Sequence, residues 1–161
     1  MKTQDTITFR EVQKIPIWVS VIVSSPVAII GIVQLFSDCI GIETFLYTAI
    51  VCLLLAVFLL LFRLDTVVSS QQFAYRLYPL QLKFRQVSVS DVKQIRIRRY
   101  RPIAEYGGWG IRFGRSGSAV NLKGDTGVQI IFNNGKKLLV GTSKPGPLED
   151  ALAVAGFTLS P

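Results

Sequence analysis

The chain has 161 residues, a formal net charge of +8, 50% hydrophobic residues and no histidine. Only 17% of its residues are charged, against roughly 25% in a typical soluble domain. The absence of histidine excludes Ser-His-Asp and Cys-His catalysis and any His-ligated metal site, and two cysteines cannot form a four-cysteine zinc site. We therefore expect no enzymatic activity, no metal and no cofactor.

Two uncharged stretches follow a short N-terminal segment, residues 1–14. They cover residues 15–36 and 44–62, so as helices they would be roughly 33 and 28 Å long, close to the ~30 Å hydrocarbon core of a bilayer. A soluble domain of this size could not bury both helices on all sides. The first stretch is also longer than the ~7–15-residue core of a cleaved signal peptide. The sequence therefore predicts two transmembrane helices.

The charges around the two helices predict their topology. The linker at 37–43 is short, which predicts an antiparallel hairpin, and it holds two acidic residues and no Lys or Arg. Residues 1–14 carry three Lys/Arg and two Asp/Glu, and residues 63–161 carry fifteen Lys/Arg and six Asp/Glu, giving +1 and +9. Because basic residues stay on the cytoplasmic side of a membrane, both termini are predicted to be cytoplasmic.

The first predicted helix is less hydrophobic than the second because it contains polar and small residues. Pro26 removes a backbone donor near mid-span and predicts a kink. Ser25 and Gly31 are small enough to permit the close approach of a neighbouring helix. We therefore expect Ser25, Pro26 and Gly31 to contribute to helix–helix packing.

From Arg63 onward the apolar period changes from helical to alternating, which is typical of strands with one buried face. The inner residues of the predicted strands are Phe73, Tyr75 and Leu77; Leu80, Leu82 and Phe84; Ile95 and Ile97; and Trp109, Ile111 and Phe113. Residues 128–132 and 136–140 flank an Asn-Asn-Gly sequence that predicts a hairpin turn. The inventory is seven or eight short antiparallel strands.

A single amphipathic helix is predicted at the C-terminal end of the chain. Pro147 suits a first helical position, and Gly156 suits the position just after a helix. Between them, apolar residues recur at helical spacing: Leu148, Ala151, Leu152 and Ala155. About ten residues are too few for a stable isolated helix, so this apolar stripe should dock on the sheet.

The order of these elements carries a resemblance to a known family. The segments that carry it are the helical pair at 15–62, the exit segment 64–68, the basic segment 90–102, the glycine-rich segment 105–112 and the hairpin at 127–136. The chain resembles small bacterial membrane proteins in which a two-helix hairpin is followed by a pleckstrin-homology (PH)-like domain. The resemblance implies an all-β PH-like barrel of about seven antiparallel strands with a C-terminal α-helix at 63–161. It also implies a place in the bacterial cytoplasmic (inner) membrane as a multi-pass protein. It does not specify an activity.

The densest basic run, at 96–101, is a candidate anion site. On an extended strand Arg96 and Arg98 share one face, and the arginine side chain presents a fork of donors that suits phosphate. The alternative is a general attraction of basic residues to an anionic membrane surface, about 1 kcal/mol each. The proposed anion-binding residues are Lys83, Arg85, Arg96, Arg98 and Arg101.

Three glycines surround an aromatic pair, Tyr106 and Trp109, in the segment 105–110. One interpretation is a recognition loop in which both aromatic rings are exposed. The other is a tight structural connection that seats Trp109 in the barrel, since glycine permits close backbone approach. Both interpretations remain open on the sequence alone.

The first functional hypothesis is a membrane-anchored, non-enzymatic PH-like module that contacts anionic phospholipid head groups or a protein partner. The alternative is a structural or regulatory subunit of a membrane complex, recognised through its transmembrane hairpin, with self-association as one form of partnership. The chain has no helix-turn-helix, zinc or RNA-binding signature, so its basic charge is not assigned to nucleic-acid binding.

Overall fold

The computed structural model describes residues 7–35, 42–114 and 116–160. The chain divides into two compact units, a β unit of Met1–Gln13 with Arg63–Pro161 and a helical unit of Lys14–Phe62. The sequence predicts a separate N-terminal segment, whereas the structure makes the described part of that segment a strand of the β unit. Most of the predicted linker at 37–43 lies outside the described residues.

The helical unit contains two helices in contact with each other, α1 at Ile17–Leu35 and α2 at Ile42–Leu60. In the described part of the chain, α2 is the one helix long and apolar enough to cross a membrane, with a mean hydropathy of 2.3. The described apolar stretch of α1, Ile17–Val33, is shorter. By length and composition the structure therefore supports one candidate span where the sequence predicts two.

The two helices approach closely at Gly31, which is buried. A Cβ atom on Gly31 would lie 3.3 Å from Cγ2 of Thr48 in α2, tighter than an ordinary van der Waals contact. The Ser25 hydroxyl donates to the backbone oxygen of Ile22, and Pro26, inside α1, is exposed. Of the three residues predicted to pack the helices, Gly31 therefore lies against the neighbouring helix, and Ser25 hydrogen-bonds within its own.

The β unit contains two sheets. The first has, in spatial order, β1 (Ile7–Lys14), β2 (Arg63–Ser69), β3 (Gln72–Tyr78) and β4 (Arg85–Ser88). The second is built from β5 (Val92–Arg99), β6 (Gly110–Gly114), β7 (Gly117–Asn121), β8 (Thr126–Phe132) and β9 (Lys137–Gly141). Its spatial order is β5-β8-β9-β7-β6. A short helix, α3 (Pro102–Tyr106), connects β5 to β6, and α4 (Pro145–Val154) follows β9.

The sheets differ from the predicted antiparallel barrel. The described residues form nine strands in two separate sheets that do not close on each other, and β7 pairs with β9 in parallel. The parallel pair has a simple cause: β8 runs opposite to β9, and the turn at 122–125 reverses the chain between β7 and β8. β7 and β9 both run opposite to β8, so they are parallel to each other where they pair.

The strand predicted over 80–85 is wrong. β3 ends at Tyr78, and β4 begins only at Arg85. The three side chains expected to face the core are exposed instead, with Leu80 at 57%, Leu82 at 72% and Phe84 at 39%. A proline directly after β3 cannot donate to the sheet, which marks the end of the strand.

The main core contains buried side chains from both sheets and from α4. Phe73 and Leu77 of β3, and Ile95 of β5, are fully buried, as their alternation predicts. The apolar stripe of α4 also enters this core, with Leu148 and Leu152 at 0% exposure. The predicted C-terminal helix and its docking are therefore confirmed, although the helix starts two residues earlier, at Pro145.

β1 belongs to the first sheet, although its inner face is largely polar. The residues on that face are Phe9, Glu11 and Gln13, and all three are buried. The Glu11 carboxyl group accepts a 2.6 Å hydrogen bond from the Thr142 hydroxyl and a 2.8 Å bond from the backbone N–H of Ser143. The Gln13 amide donates to the backbone oxygen of Gly141, the last residue of β9. These bonds connect the N-terminal strand to the turn before α4.

We expect Glu11→Ala to destabilise the β unit by about 1–3 kcal/mol, because it leaves the buried hydroxyl of Thr142 and the N–H of Ser143 without their acceptor. Thermal unfolding of the full chain in detergent, followed by circular dichroism, measures the effect. Arg10→Ala, at an exposed position of the same strand, is the control and should leave the midpoint nearly unchanged. Equal midpoints for the two variants would contradict the role given to Glu11.

Candidate functional site

The basic strand β5 places its arginines in two different environments. Ile95 faces the main core, and on the same face further along the strand Arg99 is exposed and forms an ion pair with Asp125. On the opposite face Arg96 is exposed, whereas Tyr100, just after the strand, is buried. Burial of Tyr100 means that this face is covered at its far end and is not an open basic surface.

Arg98 is the centre of an internal polar network. Its Nη2 donates to the Glu105 carboxyl group at 2.8 Å and to the Gln129 side-chain oxygen at 3.0 Å. Nη2 also lies 3.3 Å from the hydroxyl of Tyr106, and Nε lies 3.2 Å from the same Gln129 oxygen. The donors of Arg98 are thus directed at side chains of its own domain. Arg98 positions α3 against β5, and its guanidinium group is not available to bind an external phosphate.

The Arg98–Glu105 pair shifts the protonation of both groups. The hydrogen bond from Arg98 holds the pKa of the Glu105 carboxyl group below its usual value, and the bond to Glu105 raises the pKa of Arg98. Burial raises the pKa of the Tyr106 phenol. At neutral pH the network therefore contains an ionised pair and a neutral phenol, an arrangement that stabilises structure.

Tyr106 and Trp109 lie in different environments. Tyr106 is 5% exposed and packs edge-on against Tyr100, with 6.0 Å between ring centroids, in a small core shared with Ala119 and Leu139. Trp109 is 44% exposed, and its Nε1 donates to the backbone oxygen of Gly124. The exposed recognition loop is therefore wrong for Tyr106, whereas Trp109 is exposed as that interpretation expects, and the alternative that seats Trp109 in the barrel is wrong.

The local backbone explains why the tyrosine is buried. Pro102 starts α3, and Gly107 ends it in the left-handed conformation, with φ of 74°. The helix lies directly after β5, so its last residue returns to the face that carries Tyr100. The sequence signal for this turn was the Pro102–Gly107 spacing, which is typical of a short helix with its usual start and stop residues.

The five predicted anion-binding residues lie in two different places. Lys83 and Arg85 are exposed, just before and at the start of β4 in the first sheet. Arg96, Arg98 and Arg101 lie on or just after β5 in the second sheet, and of these Arg96 and Arg101 are exposed. The geometry thus leaves four of the five residues exposed, two on each sheet, and Arg98 is not among them.

One buried ion pair was not predicted. Asp65 of β2 is 2% exposed, and its Oδ2 lies 2.5 Å from Nη2 of Arg76 and 3.5 Å from Nε of Arg63. The cross-strand register pairs Asp65 with Arg76, which places the two side chains on one face of the sheet. The sequence around Asp65 did not indicate that its partner, Arg76, lies on the next strand.

Within the described ranges, no group of three acidic or sulfur side chains could hold a metal ion. A shallow open groove of about 570 Å³ lies beside the start of β1 and the end of α4. It is lined by hydroxyl, amide and apolar groups and contains no ionisable side chain: Thr8, Ser70, Gln71, Val89, Ser90, Val154, Ala155 and Gly156. The groove can bind through hydrogen bonds and apolar contact and offers no acid or base.

The lowered pKa of Glu105 gives the Arg98–Glu105 pair a defined pH dependence. Its stabilisation, about 1 kcal/mol or less for a partly exposed pair, is complete above about pH 5 and is lost as the pH falls through the lowered pKa. The unfolding midpoint of the wild type should therefore fall more steeply below about pH 5 than that of Glu105→Gln. Glu149→Gln, at an exposed position of α4, should follow the wild-type slope. Parallel curves for the wild type and Glu105→Gln would exclude the pair as the source.

The features that distinguish the β unit are thus exposed basic residues on both sheets, a buried Asp65–Arg76 pair and the Arg98 network beneath α3. Comparison of the chain with models of protein families and with curated protein sequences gives no match.

Proposed function

We propose that this chain is a membrane-anchored, non-enzymatic binding module whose β unit contacts anionic lipid head groups at the cytoplasmic face of the bacterial inner membrane. In this proposal α1 and α2 form a hairpin that crosses the bilayer twice, both termini are cytoplasmic, and the β unit is of the PH-like type. Two sheets around one core with a docked C-terminal helix support that fold type. The parallel β7–β9 pair departs from its antiparallel pattern.

The observation that carries the topology is the place of β1 beside β2 in one sheet. β1 ends at Lys14 and β2 begins at Arg63, so the helical unit lies entirely between two hydrogen-bonded neighbours. Both ends of that unit must therefore be on the same side of any membrane. A single crossing by α2 would separate the two strands, whereas two crossings keep them together. The strand pairing thus favours a second crossing by α1, despite its shorter described apolar stretch.

The distribution of charge supports contact with an anionic surface. Glu43 is the only charged residue of α1 and α2, whereas residues 63–161 carry a net charge of +9. Three acids of the β unit, Asp65, Glu105 and Asp125, form ion pairs with arginines of the same unit. The exposed Lys and Arg side chains outside these pairs outnumber the exposed acids Asp91, Glu149 and Asp150, so the surface of the β unit is positive. Basic residues near an anionic leaflet contribute about 1 kcal/mol each to its attraction.

Full-length protein in lipid nanodiscs tests the lipid contact. At low salt, nanodiscs that contain phosphatidylglycerol should raise the unfolding midpoint of the β unit relative to nanodiscs of phosphatidylcholine alone, because a ligand of the folded state stabilises it. The double variant Arg96→Glu/Arg101→Glu should lose most of this difference, by about 2 kcal/mol. Lys136→Glu/Lys137→Glu, which changes two exposed charges elsewhere in the second sheet, should retain it.

The outcomes separate the two interpretations of the basic run. An equal loss in both double variants would indicate a general surface attraction without a defined site. No difference between the two lipid compositions in the wild type would exclude the lipid function, and the binding of a protein partner would then take its place.

The alternative function, a structural or regulatory subunit of a membrane complex, is favoured by the surface of α2. None of its side chains is buried, and large apolar residues such as Leu53 and Leu54 are each 63% exposed. Gly31 contacts Thr48 within the helical unit, so a partner helix would meet other residues. A protein that co-purifies with Arg96→Glu/Arg101→Glu and is lost from Leu53→Ala/Leu54→Ala would support this function. Retention by the leucine variant would exclude it.

A further inference from the structure

The loop between β3 and β4, residues 79–84, exposes two leucines in a fixed backbone. Leu80 is 57% exposed and Leu82 is 72% exposed. Lone exposed apolar side chains are common on soluble surfaces, so exposure alone assigns nothing.

The β3–β4 loop is held in place by bonds to the free edge of β3. β4 pairs only with residues 72–75, so the last residues of β3, which pair with β2 on one side, have no strand on the other side. Gln81 replaces that strand: its N–H donates to the Leu77 oxygen at 2.7 Å, and its side-chain oxygen accepts from the Leu77 N–H at 3.2 Å. The loop therefore displays its leucines without a large loss of entropy on binding.

Arg76 fixes the other half of the loop. Its guanidinium group lies 4.4 Å from the centre of the Phe84 ring, and its Nη1 donates to the backbone oxygen of Leu82 at 3.4 Å. The same side chain is anchored below by the buried Asp65. With Phe84 held by the arginine and Gln81 by the strand edge, Leu80 and Leu82 are the apolar side chains that remain directed outward.

The strand register places this loop at one particular end of the first sheet. Tyr78, the last residue of β3, pairs with Arg63, the first residue of β2. Arg63 follows the last residue of α2 by three positions, which an extended chain spans in at most about 11 Å. The β3–β4 loop therefore begins beside the point at which the chain passes from α2 into the β unit.

The charge around the loop is positive. Residues 63–85 contain four basic side chains, Arg63, Arg76, Lys83 and Arg85, and a single acid, Asp65, which is buried in its ion pairs. Exposed leucines with exposed Lys and Arg beside them are the combination that enters the boundary between lipid head groups and acyl chains. The apolar side chains enter to about 5–10 Å, and the basic groups remain among the phosphates.

We propose that the β3–β4 loop inserts Leu80 and Leu82 into the interface of the anionic leaflet from which α2 emerges, with Lys83 and Arg85 at the level of its phosphates. This inference rests on the proposed membrane location of α2. It adds a second contact, with an apolar component, from the first sheet to the head-group contact proposed for Arg96 and Arg101 of the second sheet. A second membrane contact next to the anchor fixes the orientation of the β unit on the bilayer, which a flexible tether alone does not.

Tryptophan quenching by brominated phospholipids tests the insertion in full-length protein. The chain has two tryptophans, Trp18 in α1 and Trp109 in the β unit. Three single-tryptophan proteins are compared in proteoliposomes: Trp109→Phe, which retains Trp18; Leu82→Trp in a chain without the native tryptophans; and Phe113→Trp in the same chain. Phe113 is 82% exposed and lies in the second sheet, so it is a matched control for exposure.

We expect brominated lipid to quench Trp18 and the tryptophan at position 82, and to leave the tryptophan at position 113 unquenched. For position 82, bromines near the head groups should quench more than bromines near the acyl ends, because the side chain reaches only the interface. Lys83→Glu/Arg85→Glu in the Leu82→Trp protein should reduce that quenching in anionic vesicles.

Each other outcome has a definite meaning. An unquenched Trp18 would overturn the membrane anchor and with it this inference. A quenched Trp18 with an unquenched tryptophan at 82 would overturn the insertion and leave the anchor in place, and the exposed leucines would then serve a protein contact. Equal quenching at 82 and 113 would also overturn it, because the β3–β4 loop would have no preference for the bilayer.

Discussion

β1 and β2 are neighbours in one sheet, although residues 15–62 lie between them in the chain. The rest of the structure depends on this pairing. It requires both ends of the helical unit to meet at one place, and it brings Glu11 and Gln13 to the turn that precedes α4. The N-terminal strand and the turn before the C-terminal helix are thereby joined through a few buried polar contacts. The two helices are an insertion within the β unit, which is not simply appended after them.

Polar groups inside the β unit are used for assembly. Glu11 joins the first sheet to the turn after β9, Asp65 joins β2 to β3, and Arg98 joins β5 to α3 and β8. Each of these groups is buried or partly buried and has a partner whose removal would leave an unpaired polar atom. Such contacts add specificity to a small core because only one arrangement satisfies them all. The basic residues outside this framework are the ones that an external anion can reach.

The sequence predicted the elements whose buried faces are apolar. The inner residues of β3 and the stripe of α4 are all hydrophobic, so their periods of two and of three to four were sufficient. β1 was missed because two of its three buried residues, Glu11 and Gln13, are polar and their partners lie about 130 residues away. The periodicity of apolar residues depends on nearby positions in the sequence, so it cannot reveal a hydrogen-bond partner that only folding brings close.

The errors at the candidate site have the same origin. Alternation at 80–84 suggested a strand, but no neighbour was available to pair with it, and Gln81 closed the edge of β3 instead. Arg98 and Tyr106 were expected at the surface because a sheet with one wet face was assumed. The second sheet is covered on both faces near β5, by the main core and by the small core under α3. The residue types of the site were visible in the sequence, whereas their exposure depended on that second layer.

The polar inner face of β1 also matters while the chain is being synthesised. Glu11 emerges from the ribosome about 130 residues before Thr142 and Ser143, which at about 5–20 residues per second is on the order of ten seconds. During that interval Glu11 has no partner, although β2, β3 and β4, the other strands of its sheet, have already been made. An unpaired strand whose face carries a carboxyl and an amide group is a poor template for aggregation. The two polar side chains that hide β1 from pattern analysis thus also make its inner face less prone to aggregate before Thr142 and Ser143 are made.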